Sequence, residues 1–120
     1  MTDGIRHAQS EAKMNSPSIA INRLNEITRA SMRYLPLAER CGLYAAARVL
    51  VDDLQAHATS EAGEIDGYLS EKLRNVRWHI GAALGFDVDN GHADDQHRVW
   101  AYGALSTARD IFAERFSDDD

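Results

Sequence analysis

Apolar residues recur at spacings of three and four through most of the chain, and both prolines and most glycines fall where such a pattern stops or restarts. Recurrence at three and four places side chains on one face of a helix. The first run opens with Ser16 as N-cap and Pro17 in the first turn, where a missing N–H costs nothing, and lays Ala20, Leu24, Ile27, Ser31 and Leu35 along one face. Its other side carries Arg23, Glu26, Arg29 and Arg33, a solvated ridge in which Glu26 and Arg29 are spaced for an i+3 pair. A second run restarts at Pro36 and reaches to about Ala58, with Leu43, Ala47, Leu50 and Leu54 as its stripe and Leu37, Cys41, Tyr44 and Val51 widening it.

Thr59 to Gly63 supply turn and cap residues, after which Ile65, Leu69, Leu73, Val76, Ile80 and Leu84 give the cleanest periodicity in the chain. Gly81 and Gly85 weaken the C-terminal end of that helix. Beyond an Asp- and Gly-rich joint, Asp94 or Asp95 caps a fourth helix bearing Trp100, Ala104, Leu105, Ala108, Ile111, Phe112 and Phe116. The pattern predicts an all-α, single-domain antiparallel bundle of about four helices spanning residues 17–116, because short joints make sequence neighbours adjacent in space. Residues 1–16 read as a flexible or loosely docked arm and residues 117–120 as a short acidic tail.

The second helix is apolar over more than half its circumference, whereas an amphipathic helix needs a single stripe. Such a helix is either central in the bundle or turns its spare face to a partner. Ala45, Ala46 and Ala47 permit close approach of another helix.

Length and charge then narrow the possibilities. A chain of 120 residues makes one core rather than two, and 44% apolar with 27% charged residues is ordinary for a globular protein. The net charge of −6 argues against a general binder of polyanions, whose affinity depends on clustered Lys and Arg. Cys41 is the one cysteine, so no internal disulfide or multi-thiolate zinc site is possible. With no apolar run near the length of a membrane span and no signal-like N-terminal stretch, the expectation is a cytoplasmic protein.

Candidate chemistry is sparse. The joint Asp87-Val-Asp-Asn-Gly-His92 is similar to the opening of a calcium loop, but Gly91 stands where the third oxygen ligand belongs, and Arg98 occupies the place of the bidentate Glu. His92 and His97 straddle a helix start and share no helical face, and His57 and His79 stand alone on their own helices, so the histidines read as solvated or hydrogen-bonded rather than metal-binding. Leu37 to Leu43 resembles the first helix and turn of a helix-turn-helix DNA reader, yet Arg48 falls where an inward apolar residue is needed, which favours continuous helix through Gly42. Cys41 lies on the apolar stripe and reads as a small buried hydrophobe, while Asp52 and Asp53 diverge by about 100° on a helix and cannot converge on one atom. No catalytic residue, metal ligand or cofactor site is therefore expected.

Tyr, Trp and Arg, the residue types enriched at interface centres, gather on the later half of the chain as Tyr68, Arg74, Arg77, Trp78, Trp100 and Tyr102. Tyr44, Arg48, Val51, Tyr68, Arg74, Arg77 and Trp78 are the expected interface residues, although Trp78 and Trp100 also suit a place at the core edge. The expected function is a small protein-binding module, such as an inhibitor, adaptor or accessory protein, acting by occupancy on another protein or as a homo-oligomer. The alternative is a binder of nucleic acid or a nucleotide ligand through Arg23, Arg29, Arg33 and the Arg74/Arg77/Trp78 rim.

Overall fold

The computed structural model describes residues 17–58, 67–87 and 93–116. The Ser16 cap, the N-terminal arm, Thr59 to Gly63, Ile65, His92 and the acidic tail lie outside these residues. The described chain forms four helices: α1 (Pro17–Ala30), α2 (Leu37–Ala58), α3 (Gly67–Ala83) and α4 (Asp94–Phe116). α3 packs most extensively on α4, and the ring is closed by α2 on α3, α1 on α2 and α1 on α4. The pairing is antiparallel. Asn22 near the start of α1 meets Arg109 near the end of α4, and Ser31 just past α1 meets Arg98 in the second turn of α4.

The core follows the sequence stripes with small rotations. α1 buries Ala20, Ile21, Leu24 and Thr28, α2 buries Ala47, Val51, Leu54 and Ala58, and α3 buries Leu69, Leu73, Val76 and Ile80. Ala101, Ala104, Leu105, Ala108 and Phe112 complete it from α4. α2 runs unbroken through Gly42, so the helix-turn-helix resemblance ends there: no turn exists to present a second helix.

The helix ends are built from local chemistry. Thr28 and Ser31 donate their hydroxyls to the Leu24 and Ile27 carbonyls at 2.7 and 2.6 Å and close the last turn of α1. Pro36 supplies the carbonyl that accepts from Arg40 N at 3.1 Å, which sets it at the N-cap of α2, where its missing N–H is harmless. At the far end of α3, Phe86 N donates to Gly81 O and Gly85 N to Ala82 O, with Gly85 at a φ of 85°. These two bonds and the left-handed glycine form a Schellman cap, so Gly85 ends α3 rather than merely weakening it. Ala93, not Asp94 or Asp95, accepts the first bonds of α4, from Gln96 N and His97 N. Asp95 instead lies in the first turn, where a carboxylate favours the positive end of the helix dipole.

The α1–α2 joint then reaches across to the end of α3. Arg33 donates to Ala82 O at 3.0 Å and Arg40 to Leu84 O at 3.1 Å, while Arg40 also donates to Leu35 O and sets its guanidinium 5.5 Å from the Phe86 ring centre. Two cations thus occupy the negative end of α3, and both inter-helix joints at that end of the bundle are tied together.

Candidate functional site

Two features stand apart from the apolar packing of the core. The first is the outward face of α2. Ala38, Cys41, Gly42, Ala45, Ala46 and Val49 are all exposed and form an arc of about three turns with no charged side chain in it. Val49 is 68% exposed and neighbouring Leu37 59%. A Cβ built on Gly42 meets nothing within 4 Å, and no described element packs over this arc. The apolar excess of the second helix is therefore real, and it faces outward.

Cys41 belongs to that arc and is exposed, which corrects the expectation of a buried thiol. It lies about 120° round the helix from Ala47, outside the strip that α1 and α3 cover. Sequence spacing alone placed it on the apolar stripe because the stripe is wider than the part the bundle uses.

The expected interface residues divide among several environments. Val51 is only 2% exposed and belongs to the core, not to a contact surface as its spacing suggested. Tyr44 is half-buried against Phe86, with ring centres 5.3 Å apart, and its hydroxyl donates to Asp87 Oδ2 at 3.3 Å. Burial first, and then the Asp87 carboxylate, raise the Tyr44 pKa above that of a free phenol, while Arg77 and Arg48 act in the opposite direction. Arg48 is exposed. Arg74 donates to Ser70 Oγ, which donates in turn to Gln55 Oε1 of α2 at 2.9 Å, so this arginine closes a polar link across the α2–α3 seam. Tyr68 is exposed and carries the Lys72 ammonium 5.1 Å from its ring centre. Trp78 turns the other way, toward α4.

The second feature is on that α3–α4 seam. His79 and His97 approach through their Nδ1 atoms at 3.1 Å. His97 has no exposed surface, and Trp78 and Trp100 stand against the pair. Ring centres lie 4.6 Å apart for Trp78 and His79, 5.4 Å for Trp78 and His97, 5.3 Å for His79 and Trp100, and 5.6 Å for His97 and Trp100. Sequence reading left His79 isolated because its partner lies 18 residues away on another helix. Desolvation, and then His97, lower the His79 pKa from 6.5 to about 4. Both tryptophans sit at the edge of the core, and Trp100 keeps 37% of its surface exposed.

Of the arginines the alternative reading needs, Arg33 is engaged with the end of α3 and Arg74 with Ser70, while Arg23 and Arg29 are exposed on α1. Among the described residues no group of three or more His, Cys, Asp or Glu side chains is placed to hold a metal ion, and no helix is long and apolar enough to cross a membrane. The described residues form a four-helix bundle with one bare helical face. Comparison with protein-family models, curated proteins and solved structures finds no match to this chain.

Proposed function

We propose that this chain is a small protein-binding module that acts by occupancy, as an inhibitor, adaptor or accessory protein, and that the outward face of α2 is its contact surface. The observation that carries this reading is the charge-free exposed arc from Ala38 to Val49. Small side chains there let a partner helix approach closely, and close approach over three turns supplies dispersion contact without a deep pocket. Leu37 and Val49 at its two ends are large enough to anchor such a contact. The interaction class is apolar, so binding should tolerate added salt, unlike a phosphate-backbone interaction.

The test pairs partner capture with two substitutions. Val49→Glu and Ala45→Glu place a charge on the arc while leaving every core residue in place, so the change in folding stability should stay within about 0.5 kcal/mol. Capture of partner protein by the tagged full chain should be lost in both variants and retained in Tyr68→Ala, on another helix. Capture that survives both glutamates rejects this face. Light scattering on the eluted protein separates a second copy of the chain from a different partner, and salt-sensitive oligonucleotide binding would favour the nucleic-acid reading instead.

A further inference from the structure

The α2–α3 seam runs in a fixed antiparallel register. At one end the Tyr44 ring lies against Gly81, with Cε1 2.9 Å from the place a Cβ would take, and eleven residues along α2 the Gln55 Oε1 accepts from Ser70 Oγ, eleven residues back along α3. Equal counts between two contacts hold the same pairing throughout the interval, so four residues in from the first contact Arg48 stands level with Arg77. Neighbouring helix axes lie about 8–10 Å apart, a gap that two arginine side chains close onto one group lodged between them. Both guanidinium charges also reach the same oxygen: burial and then Asp87 raise the Tyr44 pKa, and Arg77 and Arg48 both act to lower it.

These two arginines lack what their neighbours have. Arg33, Arg40, Arg74, Arg98 and Arg109 each donate to an acceptor. Among the described residues Arg48 and Arg77 make no hydrogen bond or ion pair, although Arg77 is half-buried. The carboxylates beside them are Asp52, exposed one turn further along α2, and Asp87, which accepts from the Tyr44 hydroxyl; neither pairs with either arginine. α1 packs on α2 and α4, and α4 on α3 and α1, so among the described elements this seam is bounded by α2 and α3 alone. Two like charges held level across it repel, and nothing in the described bundle offsets that cost.

We propose that Arg48 and Arg77 form a phosphate-binding notch on the outer side of the α2–α3 seam, which takes a single phosphate dianion, free or as the monoester of a small molecule. A tetrahedral dianion offers oxygens to two guanidinium forks approaching from different helices and matches their combined charge. One carboxylate satisfies a single fork and leaves the second cation unpaired. The net charge of −6 does not oppose such a site, because at physiological ionic strength charges more than about 8 Å away are largely screened. The inference is independent of any partner for the apolar arc of α2.

The test is a proton–nitrogen NMR titration of the full chain with inorganic phosphate and, separately, with phenyl phosphate, at an ionic strength held constant with sodium chloride. The Nε–H signals of Arg48 and Arg77 should shift and saturate, and tighter binding of phenyl phosphate would assign the site to an ester rather than to the free ion. Arg48→Gln and Arg77→Gln should each weaken the affinity about tenfold or more, the loss expected for a hydrogen-bonded charge pair. Arg23→Gln, on α1, should leave it unchanged. Phosphate should also raise the melting temperature above that in chloride, and the rise should vanish in the Arg48→Gln/Arg77→Gln double variant. Since Arg48 is exposed, its single variant keeps the test open should the Arg77 variants fail to fold. The proposal is overturned if the arginine signals drift without saturating in both titrations, or if a folded Arg48→Gln binds phosphate as tightly as the wild-type chain.

Discussion

Replacing Gly81 by alanine should destabilise the bundle, against the usual direction for a helical glycine. In an open helix interior the substitution stabilises by about 1 kcal/mol, because alanine loses less backbone entropy on folding. Here a Cβ would overlap the Asp87 carboxylate and lie 2.9 Å from Tyr44 Cε1. Asp87 must therefore swing away, which breaks its 3.3 Å bond from the Tyr44 hydroxyl at a cost of about 0.5–1.5 kcal/mol. Displacing the half-buried Tyr44 ring adds an overpacking cost of about 1–3 kcal/mol. The sum outweighs the propensity gain, and the net loss is about 0.5–3.5 kcal/mol, each kcal/mol lowering the melting temperature by roughly 3–6 °C at this chain length. Asp87→Ala removes the main obstacle, and it also removes a carboxylate from the negative end of α3. In that background the Tyr44 contact remains but no Tyr44–Asp87 bond is left to break, so Gly81→Ala should cost less, giving a coupling of about 0.5–1.5 kcal/mol in a urea-denaturation double-mutant cycle. A stabilising Gly81→Ala in the wild-type chain, or a coupling within about 0.5 kcal/mol of zero, refutes the packing described at this helix end.

Four further outcomes are expected. Leu73→Ala, at a fully buried core position, should cost about 2–5 kcal/mol by chemical denaturation. Arg40→Met removes two bonds to backbone carbonyls and the contact with Phe86, and should cost about 1–3 kcal/mol by the same measurement. Gly42→Ala, where a Cβ meets nothing, should stabilise the isolated chain by about 0.5–1 kcal/mol, and should weaken partner capture if the partner helix seats closely on that glycine. Because the His79 pKa is lower in the folded chain than its ordinary value, the native state binds fewer protons than the unfolded one between 6.5 and about 4. Folding stability should therefore fall as pH drops through that window; the full shift corresponds to about 3 kcal/mol, and solvent reaching the half-buried ring brings the expected loss to about 1–2 kcal/mol.

Helix identity was legible because the evidence for it is local. Leu69, Leu73, Val76 and Ile80 share a face by spacing alone, and the structure buries all four. The same locality explains the misplacements. Cys41 and Val51 both lie on a broad apolar surface, and only the positions of α1 and α3 decide that Val51 is covered while Cys41 is not. His79 and His97 lack any shared periodicity, since a contact between helices depends on the length of the joint and the crossing of two axes. A buried histidine among alanines and leucines in α4 was the available signal: His97 is four residues before Ala101 and eight before Leu105, on the face that enters the core. Tyr44 and Asp87 likewise lie 43 residues apart, and no spacing within either segment points to the other.

Because α1 lies antiparallel against α4, the start of one helix and the end of the other leave the bundle side by side, at the end opposite the Arg33 and Arg40 ties. A force applied between residues 17 and 116 would thus load the α1–α4 seam one turn at a time, beginning with the Asn22–Arg109 contact and reaching Ser31–Arg98 last. The bundle should unzip under tension rather than resist in shear, which makes it mechanically compliant when pulled by its two ends, whatever its resistance to heat or denaturant.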